Sequence, residues 1–431
     1  MLDMRPVGYV IGLLVAVLGI AMIVPMLMDI AEGRGHWPVF VEAGLITMLG
    51  GGMIALACAN GVKEGLTIQQ TFLLTTGVWL MLPIFGALPF MLGATEARFV
   101  DAVFEAMSGM TTTGATVFTG LDDLPKGLLL WRGILQWLGG IGIIIVAMVF
   151  LPELRVGGMQ IFKSEAFDTF GKILPRAGQI ASQISVIYVW LTFACALTYL
   201  ALGMDVFDAT VHALTTVSTG GFSNYDASFG TFSGVTEYAA TIFMVLAALP
   251  FVRYVQLLNG NPMALHRDPQ IRGFVTVVAV LVLLVFVSIQ AIFPHHWEQS
   301  LRESLFNITS IRAQLQRIRS PHGVFTPRYD GRAISSDVMI SVMSFFMFFT
   351  LTLGLVAVAL SMTGLDFVTS ISGAAAALGN IGPGLGEIIG PAGNYSTLND
   401  LAKWILTAAM LIGRLELMAV YVILTFKFWR A

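Results

Sequence analysis

Long apolar stretches alternate along this chain with shorter, more polar segments. Nine stretches are long enough to cross a bilayer, which takes about 20 helical residues, and they predict spanning helices near 7–30, 39–60, 70–93, 126–151, 180–203, 234–259, 271–294, 336–362 and 399–427. Four others are too short or too polar to span, and they are typical of re-entrant half-helices near 100–111, 206–217, 299–310 and 366–378. The pattern predicts an all-α, polytopic membrane protein.

Composition supports this class. Of 431 residues, 56% are hydrophobic and 11% are charged, and the mean hydropathy is +0.82, which excludes a soluble globule. The net charge of −3 gives no indication of nucleic-acid binding. The first stretch is predicted to be a retained helix and not a signal peptide, because it is long and a second span follows at once. Cys58 and Cys195 lie in apolar runs and are predicted to be unpaired.

Basic residues concentrate in one set of loops. This set contains Lys63, Arg155, Lys163, Lys172, Arg176, Arg267, Arg272, Arg312, Arg317, Arg319, Arg328, Arg332, Lys427 and Arg430. The opposite loops, such as 93–96 and 203–205, are nearly free of Lys and Arg. The positive-inside rule therefore predicts that the basic loops and both chain ends are cytoplasmic. The loops 151–178 and 312–332 are also candidate surfaces for a cytosolic partner.

Three half-helices end in a small, polar turn that contains glycine. We name these turn A (111–115), turn B (217–222) and turn C (379–384). The half-helices open with Asp101, Asp208 and Asp366, which are predicted to cap the positive helix ends and not to bind an ion. Glycine turns also punctuate ordinary membrane helices. Three of them behind non-spanning segments favour a cation pathway.

A bare cation needs several oxygen ligands in place of its water shell. Backbone carbonyls supply them when successive peptides point inward, a geometry that glycine adopts without a Cβ clash. The predicted ligands are the carbonyls of Thr112, Thr113, Gly114, Ser218, Thr219, Gly220, Asn380, Ile381 and Gly382. The chain shows no catalytic constellation and no metal-ligand spacing of histidines, so an enzyme is poorly supported.

The segment near 299–310 lacks its own turn. The chain runs 37 positions from Gly114 to Leu151 and 39 from Gly220 to Asn259, whereas Arg312, the first residue of a basic loop, directly follows Ile311. Crossing the bilayer takes about 20 helical residues, or about 9 extended ones. A turn and a span are therefore missing here, either because part of a longer polypeptide is absent from this sequence or because the deletion is genuine.

Six motifs in order resemble one family. They are residues 108–116, 135–143, 157–160, 220–223, 380–386 and 411–416. Together they resemble the Trk/Ktr/HKT superfamily of cation transporters, and most closely the membrane subunit of bacterial Trk potassium uptake systems (TrkH type). The resemblance implies K⁺ as the transported ion, with glycine at position 114 favouring K⁺ over Na⁺, and no organic cofactor. It also implies a filter turn and a gating loop in the third repeat, which are missing at residues 311–312.

The resemblance implies two N-terminal helices followed by four helix–half-helix–helix repeats around a pseudo-fourfold pore. The corresponding ranges are 1–65 for the two helices, 66–155, 156–262, 263–311 (incomplete) and 336–431 for the repeats, and 312–335 for a basic cytoplasmic loop. It further implies a homodimer in the bacterial inner membrane, gated by a cytosolic ring of nucleotide-binding subunits (TrkA type).

Two arginines lie in or near predicted spans. Arg414 lies in the middle of the last span, where a charge costs at least about 2.5–3.5 kcal/mol. Its predicted role is a cation below the filter, which in the family contacts the gating loop and opposes ion passage. The alternative is an ion pair with Glu416, although residues two apart do not face each other on a helix. Arg253, three residues after Pro250, is predicted to snorkel to the surface.

Two functions compete on these observations. The first is a K⁺-selective uptake subunit that works by desolvation at a filter and gating below it. The second is a non-conducting or Na⁺-permeable deletion form that acts as a membrane scaffold, favoured by the missing turn. The intact mass of the polypeptide and its cation flux in vesicles separate them.

Overall fold

The architecture is known from a computed structural model. It describes residues 3–61, 66–149, 177–232, 234–292, 297–312, 328–329, 332–333, 336–391, 393–415 and 417–430. Several sequence-based predictions fall outside this part: Glu416, the motif 157–160, nearly all of the loop 151–178 and most of the loop 312–332.

The described part is almost entirely helical. In chain order the helices are α1 (Arg5–Ala21), α2 (Ile23–Glu32), α3 (Pro38–Cys58), α4 (Ile68–Gly86), α5 (Leu88–Leu92), α6 (Phe99–Met110), α7 (Lys126–Val149), α8 (Ala177–Ala201), α9 (Val206–Val217), α10 (Val235–Ala248), α11 (Phe251–Leu258), α12 (Pro269–Ile292), α13 (Trp297–Arg312), α14 (Ser336–Ser361), α15 (Phe367–Gly379), α16 (Gly386–Ile389), α17 (Asp400–Arg414), α18 (Leu417–Ile423) and α19 (Phe426–Arg430). Strands β1 (Arg328–Tyr329) and β2 (Arg332–Ala333) pair antiparallel.

Helix occupies each of the nine predicted spans. Six described helical segments are long and apolar enough to cross a membrane, and α10 with α11 forms a seventh that bends by 86°. Proline accounts for the breaks, because its ring removes one N–H and clashes with the carbonyl four residues earlier. Thus α1 ends at Ala21, four residues before Pro25, and Pro250 separates α10 from α11. The predicted half-helices correspond to α6, α9, α13 and α15.

The first two spans pack closely through small residues. A Cβ on Gly19 of α1 would lie 2.7 Å from the backbone nitrogen of Met48 on α3, and one on Gly12 would lie 2.6 Å from the carbonyl oxygen of Gly51. Such close backbone approach is typical of membrane helix pairs with small-residue seams. Cys58 and Cys195 are both free thiols, as predicted.

The half-helices pack around a shared centre. Helix α6 packs against α7, α9 against both α7 and α8, and α15 against α17. Helix α6 also contacts α17, so a segment near residue 100 packs against one near residue 400. Helix α13 packs on α10, where Arg302 forms a 2.8 Å ion pair with Glu237. It ends at Arg312, and the structure describes only β1 and β2 between it and α14.

Capping by the three predicted aspartates is confirmed at only one of them. Asp366 is the N-cap of α15 and accepts a 3.1 Å hydrogen bond from Thr369 N, and bonding to Thr369 lowers the pKa of this carboxyl. The prediction is wrong for Asp101 and Asp208, because Arg98 and Asp205 occupy the N-cap positions of α6 and α9. Both aspartates lie in the first helical turn and bind side chains instead.

Those side-chain bonds hold neighbouring segments together. Asp101 pairs with Lys403 Nζ at 2.6 Å and with Arg98 Nε at 2.9 Å, and Arg98 also pairs with Asp400 of α17. This joins the N-terminal end of α6 to α17. Asp208 accepts hydrogen bonds from the side chains of Asn224 and Tyr225, which follow turn B.

Candidate cation filter

Turns A, B and C share one backbone register. In each turn an amide donates to the carbonyl five residues earlier: Thr113 to Ser108, Gly220 to Thr215, and Ile381 to Ala376, at 2.9, 2.9 and 2.8 Å. The residue before each donor is left-handed, with φ of +53° at Thr112, +54° at Thr219 and +51° at Asn380. Helices α6, α9 and α15 therefore end in the same unusual conformation.

This register changes which glycine of turn B is the counterpart of Gly114. Gly220 aligns with Thr113, so Gly221 takes the position of Gly114 and Gly382. The φ values agree, at +81° for Gly114 and +80° for Gly221. The predicted set Ser218–Thr219–Gly220 therefore begins one residue earlier than the sets in the other two turns. Sequence reasoning missed Gly221, because no signal in the sequence separates it from Gly220. In the structure α6 and α9 both have 12 residues, and Gly114 and Gly221 each follow their helix end by four positions.

Turn A lies between the other two turns. Gly382 N of turn C donates a 2.5 Å hydrogen bond to the Thr113 carbonyl, and a Cβ on Gly382 would lie 2.6 Å from Ala115 N. On the other side, a Cβ on Gly114 would overlap the Gly220 carbonyl oxygen. The backbone approaches so closely at both positions that only glycine fits. The structure thus brings all three predicted turns together.

At least three of the nine predicted ligand carbonyls accept hydrogen bonds from the protein. The Thr113 carbonyl binds Gly382 N, the Ser218 carbonyl binds its neighbour's hydroxyl, Thr219 Oγ1, at 2.7 Å, and the Gly220 carbonyl binds Gln136 Nε2 at 2.8 Å. Occupied carbonyls are weaker candidates for cation ligands. Gly221 adds a further carbonyl in turn B.

A buried ion pair lies behind the turns. Glu105 on α6 and Arg132 on α7 are 0% and 2% exposed at their side chains and lie 2.9 Å apart. Arg132 also donates to the Ser223 carbonyl at 2.7 Å, and its guanidinium lies 4.2 Å from the Phe222 ring centroid. Burial of a pair like this is tolerated only when further hydrogen bonds satisfy both groups.

Glu105 binds the segment that follows turn A. It accepts from Thr116 Oγ1 at 2.9 Å and from Val117 N at 2.9 Å. The pair thus links the segments that leave turns A and B. Sequence reasoning missed both residues. The available signal was Arg132, a basic residue within a predicted span, where charges are rare and functional.

Arg414 lies close to the turns. It is one helical turn beyond Met410, whose carbonyl accepts a 2.9 Å bond from Asn380 of turn C. Its Nη2 donates to the Gly139 carbonyl at 3.0 Å, and its guanidinium lies 5.3 Å from the Trp79 ring centroid. A cation over a tryptophan face is an attractive contact. The alternative partner, Glu416, lies outside the described residues.

Arg253 pairs with a nearby acid, and its snorkelling to the surface stays a prediction. Its Nε contacts Asp268 Oδ2 at 2.5 Å, and its Nη1 donates to Gln256 at 3.0 Å. The Asp268 side chain is only 1% exposed, so the pair satisfies a carboxylate that would otherwise be buried without a counterion. The pair therefore fixes the direction of the Arg253 side chain, which remains 21% exposed.

Comparison with known proteins assigns the family. The family model described as "Cation transport protein" (TrkH) matches residues 36–298 and 300–428. The Trk system potassium uptake protein TrkI of Halomonas elongata is 37% identical, covering 99% of this chain and 97% of that protein. The Trk system potassium uptake protein TrkH of Escherichia coli K12 is 32% identical, with 99% of both chains covered.

A solved structure gives the same result. The crystal structure of the potassium transporter TrkH from Vibrio parahaemolyticus matches with a TM-score of 0.87 and 29% identity, covering 100% of both chains. The alignment with TrkI extends over 477 positions, whereas this chain has 431 residues, so at least 46 positions of TrkI face a gap. The apolar spans, the fold and the matches agree: the chain is a multi-pass membrane protein that belongs to the TrkH family of cation transport proteins.

Proposed function

We propose that this chain takes up K⁺ through a filter built from the carbonyl oxygens of turns A, B and C. One observation carries the proposal: three half-helices end in turns of identical register, and turn A contacts both of the others. The negative ends of the half-helices add roughly half a charge each, which favours a cation there. The names of the relatives, all potassium uptake proteins, support K⁺ as the ion.

Within this proposal the ligands come from the nine predicted residues together with Gly221. Transport needs no covalent chemistry, and the protein is not an enzyme. We further propose a homodimer in the bacterial inner membrane with both chain ends in the cytoplasm. A cytosolic nucleotide-binding subunit of the TrkA type would gate it, and the repeats keep the boundaries given above, with the third one incomplete.

Uptake of K⁺ into vesicles tests the proposal. We expect the wild-type protein to exceed empty vesicles and Gly114→Ser to lose most of this uptake, because a side chain at position 114 would meet the Gly220 carbonyl and strain a residue with φ of +81°. Gly120→Ser is the matched control, since Gly120 also has a positive φ of +67° but has open space around it. Wild-type flux equal to that of empty vesicles would contradict transport by this chain.

A second candidate is the non-conducting or Na⁺-permeable scaffold. It is favoured by the gap of at least 46 positions against TrkI and by the break in the family match at residue 299, in the first turn of α13. Its signature is a protein that assembles with the cytosolic subunit without passing K⁺. An intact mass above 46.5 kDa would mean that the polypeptide is longer than this sequence and would remove the main support for this candidate.

We propose that Arg414 opposes cation passage below the turns. Arg414→Gln is then expected to raise K⁺ flux about tenfold, since two like charges several ångströms apart repel by about 1–4 kcal/mol and a barrier lower by about 1.4 kcal/mol speeds passage tenfold. Arg414→Lys keeps the charge and serves as the control. Equal flux through the wild type and Arg414→Gln would argue for a purely structural arginine.

A further inference from the structure

One face of α7 is turned toward the filter turns. Arg132, Gln136 and Gly139 recur at spacings of four and three, which places them on the same side of the helix. Arg132 belongs to the buried ion pair, and Gly139 is in direct contact with Met110, the last residue of α6. Gln136 has no part in the proposed function so far, although it is fully buried.

Gln136 binds turn B at two points. Its Nε2 donates to the Gly220 carbonyl at 2.8 Å, and its Oε1 accepts from Phe222 N at 3.1 Å. The two bonds flank Gly221, so one side-chain amide holds the peptide units on both sides of the residue that corresponds to Gly114. A Cβ on Gly220 would overlap the Gln136 side chain, so the two residues are in direct contact.

Turn A is held in a different way. The Thr113 carbonyl, which corresponds to that of Gly220, accepts from the backbone N–H of Gly382 in the adjacent turn. In turn B the equivalent bond comes from a side chain of the following span. The direction of the Gly220 carbonyl thus depends on one residue that can be replaced without changing any turn.

We propose that Gln136 is a positioning residue that sets the K⁺ preference of the filter by fixing turn B. The proposal rests on the proposed transport function. Glycine peptides rotate easily, and the amide holds the Gly220 carbonyl toward α7. When that bond is lost, the Gly220 carbonyl becomes free to turn toward the centre. The number and direction of filter oxygens then change, and these govern the choice between K⁺ and Na⁺.

Gln136→Met tests this role, because methionine has a similar size and makes neither hydrogen bond. We expect the ratio of K⁺ to Na⁺ uptake in vesicles to fall about tenfold, on the scale of one lost buried hydrogen bond, while total cation uptake persists. Gln70→Met is the matched control. Gln70 is also buried, donates to a backbone carbonyl, Asp3 O, at 2.7 Å, and accepts from a backbone amide, Thr67 N, at 2.9 Å, but it lies on α4.

The outcomes separate this role from transport itself. A wild type that conducts, together with an unchanged K⁺/Na⁺ ratio in Gln136→Met or an equal change in Gln70→Met, rejects the positioning role alone. If the wild type does not conduct, thermal unfolding of the purified protein in K⁺, Na⁺ and choline chloride decides. A K⁺-specific stabilisation that only Gln136→Met removes supports the role without transport. No K⁺-specific stabilisation and no flux would reject both proposals.

Discussion

Replacing Arg132 by leucine is expected to lower the free energy of unfolding by about 3–5 kcal/mol. The substitution leaves the fully buried Glu105 carboxylate without its counterion, which is far more costly than losing an exposed pair. It also removes the donor to the Ser223 carbonyl, so the segments that leave turns A and B come apart. Denaturant titration of the purified protein in detergent measures the loss.

Two further variants give this prediction its controls. Arg98→Leu removes an arginine of the exposed network at the N-terminal end of α6 and is expected to change stability little. The double variant Arg132→Leu/Glu105→Leu should recover part of the loss, because no charge is then buried alone. It should not recover all of it, since Val117 N and the Ser223 carbonyl lose their partners. Equal stability of Arg132→Leu and Arg98→Leu would overturn the assignment.

Gly139→Ala is expected to abolish most K⁺ uptake. A Cβ there would overlap the carbonyl oxygen of Met110, the last residue of α6, so the half-helix has to move and turn A moves with it. Overpacking of this kind typically costs about 1–3 kcal/mol. Flux per folded protein, measured beside the unfolding free energy, separates displacement of the turn from simple loss of protein.

Gly142→Ala is the control on the same helix. Its Cβ would make ordinary contact with the Trp79 ring at 3.7 Å, and alanine favours a helix over glycine by about 1 kcal/mol. We therefore expect unchanged uptake and equal or higher stability. If both alanine variants transported like the wild type, the packing of α6 on Gly139 would not control the position of turn A.

Much of the fold could be predicted because it follows from hydrophobic length. Spans and half-helices are local properties of the chain, and helix appears where the pattern places them. The position of the turns was equally visible from their glycines. The register of turn B was not, because residues 220 and 221 are both glycine and either can serve as the counterpart of Gly114.

The remaining features depend on contacts between distant segments. Asp101 was predicted to cap a helix, but its partner Lys403 lies 302 residues away in the chain. Arg253 on α11 pairs with Asp268, which directly precedes α12, and no sequence pattern specifies how these two helices lie. The Glu105–Arg132 pair joins two helices and two turns. The partner of a buried charge cannot be identified from the sequence, because the pairing depends on how the helices pack.

The contact between α6 and α17 has a consequence for the order of assembly during synthesis. Lys403 and Asp400 reach the membrane about 300 residues after their partners Asp101 and Arg98. At about 5–20 residues per second, the first half-helix waits roughly 15–60 s for the helix that completes its packing. Gln69 on α4 likewise waits for the Phe428 carbonyl near the chain end. The contact between α6 and α17 therefore forms only after residue 403 has been synthesised, and until then Asp101, paired with Arg98 alone, is open to membrane chaperones and proteases.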